Sequence, residues 1–275
     1  MPTAASAPKP ITSARLVLQG LLVALLVALL SVFHVGCSES LSENGSMQDD
    51  LVSDQLAAAA EPVVVSPPID AAKEFANTID QIAESKSDGL MIDRYRVNDE
   101  MLSELSRAPT IETMLIDRGE VTDAGAQHIA ELTKLRHLRL RQSPIGDEGL
   151  EWIAKCDSIW FLNLPQANCT AAGVAKLQTL TELRNLRLGS PKLDNDVCDQ
   201  IAKIKSLQSI HLIGVPVNDA GLKQLASLPN LESLYLDDSA VSDAGWKWLF
   251  QEHPDLHIHI DQNHHDRDRS SHKHE

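Results

Sequence analysis

The stretch VTDAGAQHIAELTKLRHLRLRQSP, residues 121–144, has a close copy in VNDAGLKQLASLPNLESLYLDDSA, residues 217–240. Aligning the chain on these two segments gives one repeating unit of 24 residues, with no insertion or deletion between units. The units begin at Val97, Val121, Ile145, Cys169, Leu193, Val217 and Val241. Self-similarity at a fixed period of this length predicts a solenoid of stacked repeats.

Two periodicities inside each unit predict the structure of one repeat. Counted from the first residue of the unit, positions 6, 9 and 12 are apolar with helical spacing, whereas positions 18 and 20 alternate like a strand with one buried face. Each unit is therefore a helix, a turn, a short strand and a second turn. A single unit cannot bury its own apolar face, so neighbouring units must stack and their strands must align in parallel.

The segments LRHLRL (135–140), LRNLRL (183–188) and LESLYL (231–236) resemble the leucine-rich repeat, and the TDAG-type opening resembles its ribonuclease-inhibitor-like branch. The resemblance implies an α/β solenoid, a horseshoe with a parallel sheet on its concave face and short helices on its convex face. The sequence departs from this pattern at ANCTAAGV, which lacks the Asp, at LDNDVC, which lacks the Gly, and in the last unit, where HIHI replaces leucine.

A recurring aspartate at position 3 is the first candidate for chemistry, because paired carboxylates can perform acid–base catalysis. An acid in the first turn of a helix, however, also stabilises the helix dipole. Position 2 is more constant and always holds a residue type favoured as an N-cap: Asn98, Thr122, Gly146, Thr170, Asp194, Asn218 and Ser242. We therefore predict that position 2 caps each helix and that the aspartates are first-turn charges. They are Asp99, Asp123, Asp147, Asp219 and Asp243.

The sequence offers no catalytic residue, metal site or cofactor site. It contains no glycine-rich phosphate loop, no G-x-S-x-G and no H-E-x-x-H. Cys156, Cys169 and Cys198 occupy positions that are apolar in other units, which favours small buried hydrophobes over a disulfide. We expect a protein that is not an enzyme.

The strand residues at positions 17, 19 and 21 alternate with the buried positions 18 and 20, so they project from the opposite face of the sheet. We call this surface the strand face. Its middle carries Arg, His and aromatic side chains, and Arg and aromatic residues are enriched at interface hot spots. The predicted binding residues are His137, Arg139, Arg141, Phe161, Asn163, Arg187, His211 and Tyr235. Their positive charge in a chain of net charge −15 predicts a protein or peptide partner with acidic groups. A solvated face without a partner is the open alternative.

Residues 1–37 have the pattern of a signal peptide or membrane anchor, because Lys9 and Arg15 precede the apolar run LLVALLVALLSVF (21–33). The segment HVGCSES resembles the lipobox of bacterial lipoproteins, which implies lipidation of Cys37. Lipidation, retention of the apolar run as a spanning helix and cleavage with release all remain open. In the first two cases the positive-inside rule predicts an extracytoplasmic, membrane-tethered protein of the cell envelope.

Composition divides the chain into five segments. They are the signal or anchor (1–37), an acidic spacer (38–69) predicted to be disordered, an N-terminal capping unit (70–96), seven repeats (97–261) and a His-rich tail (262–275) predicted to be disordered. In the capping unit, Asp70 predicts a helix from about residue 71 to 85, followed by a strand at 89–93.

These features together predict non-catalytic recognition of a protein or peptide through the strand face, outside the cytoplasmic membrane. The net charge of −15 argues against a nucleic-acid partner. A structural role in the envelope is one alternative, and metal binding by the His-rich tail is another, because imidazole binds zinc, copper and nickel.

Overall fold

The computed structural model describes residues 70–264, a stack of short helices against one sheet. The strands are β1 (Gly89–Ile92), β2 (Thr113–Ile116), β3 (His137–Leu140), β4 (Phe161–Leu164), β5 (Asn185–Gly189), β6 (Ser209–Ile213), β7 (Ser233–Asp237), β8 (His257–Ile260) and β9 (Asn263–His264). The helices are α1 (Ala71–Ser85), α2 (Asp99–Leu102), α3 (Asp123–Ile129), α4 (Asp147–Ile153), α5 (Ala171–Lys176), α6 (Val197–Ile201), α7 (Asp219–Ala226) and α8 (Asp243–Glu252). Helices α2 and α5 continue as 3₁₀ turns at Ser103–Arg107 and Leu177–Thr179.

The sheet confirms the predicted α/β leucine-rich-repeat solenoid. Strands β1 to β8 are parallel and lie in chain order, and each pairs with the next in the register that the repeat predicts, as in Thr113 with His137 and Ser209 with Ser233. Such short parallel strands are stable because the helix of every unit covers one face of the sheet.

The first helix begins and ends as the sequence predicts. Helix α1 spans Ala71–Ser85, and the side chain of Asp70 accepts a hydrogen bond from the backbone N–H of Lys73 at 3.2 Å. Phe75, Ile79 and Ile82 face the core, so this helix covers the apolar interior at the start of the solenoid.

The core is aliphatic and continuous through all units. Leu135, Leu138 and Leu140 are fully buried, as are most of their counterparts in the other units, and each such side chain contributes about 1.5–3 kcal/mol to stability. Leu231 and Ile260, near the C-terminal end, are partly buried. The three cysteines of the repeats are also fully buried and unpaired. Burial raises the thiol pKa to about 12 for Cys156, about 11 for Cys169 and about 12 for Cys198. The prediction of buried hydrophobes is confirmed, and no disulfide joins these three residues.

Position 2 caps most of the helices. The side chain of the predicted residue accepts a backbone N–H of the first turn at Asn98, Thr122, Thr170, Asn218 and Ser242. Gly146 has no side chain to do so. At Asp194 the side chain likewise accepts the N–H two residues on, that of Asp196 at 3.0 Å, but the α-helix of this unit begins only at Val197, later than the prediction places it.

The C-terminal end differs from the prediction at the start of the tail. Residues predicted to be disordered form β9, which pairs antiparallel with β8 through His259 with His264 and Ile260 with Asn263. The turn between them is tight, with φ of 50° at Asp261 and 63° at Gln262, as in two-residue hairpins whose central residues both have positive φ. This hairpin partly covers the edge of the last parallel strand.

Within residues 70–264, no helix is long and apolar enough to cross a membrane. The predicted signal or anchor (1–37), the lipidation candidate Cys37, the acidic spacer (38–69) and tail residues 265–275 lie outside the described residues.

Candidate functional site

The recurring aspartates form hydrogen bonds between units rather than a catalytic group. Each carboxylate of the first three accepts the backbone N–H of the cap residue in the next unit, at 2.7 Å from Asp99 to Thr122, 2.5 Å from Asp123 to Gly146 and 2.6 Å from Asp147 to Thr170. Asp219 accepts from Ser242 at 2.8 Å, and Asn195 accepts from Asn218 at 2.9 Å. We call this row the cap ladder. Its acids are occupied in holding successive helices in register.

The cap ladder gives the solenoid a pH dependence that can be tested at Asp219. The hydroxyl and N–H of Ser242 hold the pKa of this carboxyl below its usual range. A lowered folded-state pKa means that the stabilisation is complete above the unfolded value of about 3.9 and is lost as the pH falls through the folded value. We therefore expect Asp219→Asn to flatten the loss of stability below about pH 4, measured as the free energy of unfolding in urea across a pH series.

Asparagine is a suitable replacement because Asn195 already fills this position in the cap ladder and still accepts the N–H of Asn218. The matched control is Asp243→Asn, since Asp243 occupies the same position in the last unit, with no further cap residue above it among residues 70–264. An Asp219→Asn protein that loses stability in acid as steeply as the wild type would contradict the assignment.

The eight predicted binding residues do lie on one contiguous surface. Register places Arg139 beside Asn163, Asn163 beside Arg187, Arg187 beside His211 and His211 beside Tyr235, each on the next strand of β3 to β7. His137 lies beside Phe161, and Arg141 directly follows β3. Parallel strands are about 4.8 Å apart, so this row forms one surface across five strands.

Acidic side chains neutralise the two ends of the strand face but leave its centre positive. Asp117 lies 2.9 Å from Arg139 and 3.9 Å from Arg141, while Asp237 lies 2.8 Å from His211. Arg187, between these two groups, makes no ion pair within residues 70–264. Burial, followed by repulsion from Arg141, lowers the pKa of Arg187. Attraction to Asp237 acts in the opposite direction but is a smaller effect, so a positive charge is held at the centre of the face without a direct ion pair.

The strand face also has unused hydrogen-bonding capacity. Among the described residues, the buried side-chain atoms without a hydrogen-bond partner are Asp117 Oδ1, Arg139 Nε, Asn163 Oδ1, Arg187 Nε and Asp237 Oδ1. All five lie on this one face, and acceptors alternate with donors from β2 to β7. Buried polar atoms are nearly always satisfied in native proteins, so within residues 70–264 the strand face stands out by this concentration of unpartnered atoms.

Two aromatic clusters flank the arginines. On one side the ring of His137 lies 4.2 Å from that of Phe161, and Trp160 packs edge-on against Phe161 at 5.8 Å. On the other side Tyr235 lies 5.4 Å from His211 and stacks on His259 at 4.5 Å. Burial and the charge of Arg139 lower the pKa of His137, which keeps its imidazole neutral near pH 7. The face therefore combines charge at its centre with flat apolar surfaces on both sides.

The sequence interpretation missed a groove along the starting edge of the strands. Its volume is about 550 Å³. Trp160 lines it together with Arg136 and Arg184, each directly before a strand, and lies next to the His137 and Phe161 cluster. These three residues occupy position 16, just before the alternating strand pattern begins, and were therefore not included in the face. An aromatic residue between two arginines in the position-16 column is the sequence signal that identifies this extension.

No group of three or more His, Cys, Asp or Glu side chains within residues 70–264 is arranged to hold a metal ion. Most of the predicted His-rich tail lies outside this range.

The described residues thus define a leucine-rich-repeat solenoid with a polar and aromatic strand face. Solved structures with similar folds include an internalin from Listeria monocytogenes (20% identity, TM-score 0.46, covering 56% of this chain and 42% of that one). A TDR receptor is 14% identical (TM-score 0.39, 57% and 27% covered). The ectodomain of the Arabidopsis receptor kinase HAESA, solved with an IDA peptide hormone, is 12% identical (TM-score 0.38, 53% and 28% covered).

The chain spans less than half the length of each of these proteins. No protein-family model and no curated protein matches the sequence significantly. At these identities the likeness concerns the fold alone.

Proposed function

We propose that this protein is a non-catalytic recognition scaffold that binds a protein or peptide with acidic groups through the strand face. The observation that carries the proposal is the concentration on that face, on both sides of Arg187, of every buried side-chain atom of the described residues that lacks a hydrogen-bond partner. An acidic side chain of a partner can pair with the guanidinium of Arg187. Charge-assisted hydrogen bonds of this kind are the stronger ones.

The aromatic clusters support the same proposal. Arg and aromatic side chains dominate the binding energy of most protein interfaces, and here they lie within one row of neighbouring strands. The groove around Trp160 extends this surface on the side of His137 and Phe161.

We further propose display outside the cytoplasm on a membrane tether. The support is the basic and apolar pattern of residues 1–37, the lipobox-like Cys37 and the acidic spacer, which contains no Lys or Arg to draw it onto an anionic membrane.

The test is capture of a partner by the full chain, identified first by proximity labelling from the tethered protein. Replacing Arg139, Arg187 and Tyr235 together by Ala should weaken capture at least tenfold, because each hot-spot truncation costs more than about 1 kcal/mol. Capture by the wild type should also weaken as salt is added.

The charge-matched control replaces Lys203 and Lys247, two exposed cations on the helical side, by Ala. These changes should leave capture unaltered, since exposed charges far from an interface contribute little. Equal capture by the strand-face variant and the wild type would overturn the proposal.

A further inference from the structure

The last parallel strand carries two histidines whose ring nitrogens lie within hydrogen-bond distance of each other. His257 and His259 alternate along β8 and therefore project from the same side of the sheet. Their ring centroids are 4.7 Å apart, and the Nε2 atoms are separated by 2.8 Å.

The surroundings hold both rings in place. Tyr235 on β7 stacks on His259, with centroids 4.5 Å apart and an interplanar angle of 29°, and it meets His257 edge-on at 5.9 Å. Both histidines are half-buried. On the other side the β8–β9 hairpin fixes the backbone of His259 through its pairing with His264. Rigid placement of this kind favours ligand binding because little side-chain freedom remains to be lost.

The spacing of the two nitrogens matches that of adjacent ligands on one metal ion. With a metal–nitrogen distance of about 2.0 Å, two neighbouring ligands at a right angle lie about 2.8 Å apart, whereas tetrahedral zinc places them about 3.3 Å apart. Right-angled nitrogen ligation is typical of Cu(II) and Ni(II), and Cu(II) binds nitrogen ligands most strongly among the divalent first-row metals.

We propose that His257 and His259 form a two-imidazole chelate for a divalent transition metal with square-planar preference, Cu(II) above all. Two nitrogens occupy adjacent positions, and water or a group of a bound partner supplies the others. Both Nε2 lone pairs then point to the metal and each ring carries its proton on Nδ1, so binding needs a change of tautomer but no net loss of a proton. The site is independent of the acidic partner proposed above.

The experiment titrates Cu(II) into the full chain after removal of competing imidazoles. In this background variant His264, His265, His272 and His274 are replaced by Asn, which leaves His257 and His259 intact. We expect one tight Cu(II) per chain by calorimetry and an electron paramagnetic resonance spectrum with hyperfine splitting from two equatorial nitrogens. In the NMR spectrum, paramagnetic broadening should begin at His257, His259 and Tyr235.

Adding His257→Asn and His259→Asn to the background should reduce the affinity at least tenfold and abolish the two-nitrogen signal. Adding His128→Asn instead, at a histidine on α3 near Glu131, should leave both unchanged. Absence of Cu(II) binding by the background variant, or equal binding after loss of His257 and His259, would overturn the proposal and leave a simple imidazole hydrogen bond. The broadening pattern in the background variant decides the question even if the double replacement impairs folding.

Discussion

Replacing Gly125 by Ala is expected to lower the free energy of unfolding by about 1–3 kcal/mol, as overpacking does elsewhere. A Cβ at this position would lie 2.3 Å from Asp99 Oδ1 and 2.9 Å from Val121 Cγ1. The carboxylate cannot simply move away, because it accepts the N–H of Thr122 at 2.7 Å and the hydroxyl of the same residue at 2.6 Å. The added methyl group therefore either breaks these hydrogen bonds of the cap ladder or strains the helix.

The loss of stability caused by Gly125→Ala should depend on the carboxylate of Asp99 in the preceding unit. A double-mutant cycle measures this dependence. Asp99→Ala alone removes two hydrogen bonds and should cost about 1 kcal/mol. Once Asp99 is absent, the main obstacle to Gly125→Ala is also absent, and alanine is the better helix former by roughly 0.5–1 kcal/mol. The double variant should therefore be about as stable as Asp99→Ala alone, with a coupling energy of about 1 kcal/mol or more.

Chemical denaturation of the four proteins provides the measurement. Gly89→Ala is the control, because a Cβ on Gly89 would meet no atom within 4 Å, and it should change stability little. If the effects of Asp99→Ala and Gly125→Ala simply add, Gly125 is required for some reason other than the carboxylate of the preceding unit.

The repeat made the fold predictable to a degree unusual for a single sequence. A constant unit length fixes the register of every strand pair, since residue i must pair with its equivalent in the next unit, and Gly89 with Thr113 already obeys the rule at the capping unit. The alternation of Leu138 and Leu140 with His137 and Arg139 then assigns the two faces of the sheet. These are local patterns that the chain repeats, so one correct unit predicts the others.

What the sequence interpretation missed are contacts between units. The aspartates do lie in the first helical turn, as predicted. Their carboxylates, however, also accept hydrogen bonds from the next unit, as Asp99 does from Thr122, and no pattern inside one unit reveals such bonds. Trp160 was missed for a different reason, since it precedes the alternating strand positions. The partner of the strand face is not encoded in periodicity at all.

The junction between the fourth and fifth units nevertheless shows a sequence signal for the cap ladder. Position 3 of the fourth unit is Ala171, which has no carboxylate, and the next unit departs from the pattern at two places. Its cap position holds Asp194, whose charge would repel an acid at position 3 of the preceding unit. Its glycine position holds Val197, which is fully buried. Where Asn195 replaces the acid, Gly221 is retained, and a Cβ there would lie 2.3 Å from Asn195 Oδ1. Glycine is thus present where position 3 of the preceding unit has an oxygen-bearing side chain. Valine replaces it where that side chain is missing.

This rule predicts a second large effect, at the junction of the fourth and fifth units. Ala171→Asp alone should destabilise the protein by about 1–3 kcal/mol, because the new carboxylate meets the side chain of Val197 and the charge of Asp194. Val197→Gly alone should cost about 2–4 kcal/mol, since it empties a buried site and adds a flexible residue to a helix.

Combining both changes with Asp194→Thr should offset much of their separate costs, because Thr122 and Thr170 show how a threonine donates its N–H and hydroxyl to the carboxylate below. Denaturation measures the coupling, and hydrogen exchange of the α6 amides shows whether the helix now begins at position 3 behind a cap at position 2, as its neighbours do. The control is Asp194→Thr alone, which offers the same cap without an acid below. If the three changes destabilise the protein by the sum of their separate effects and α6 keeps its late start, carboxylate, cap and glycine are not one coupled unit. Recovery of stability together with an earlier start of α6 would mean that the acid in one repeat determines where the next helix begins.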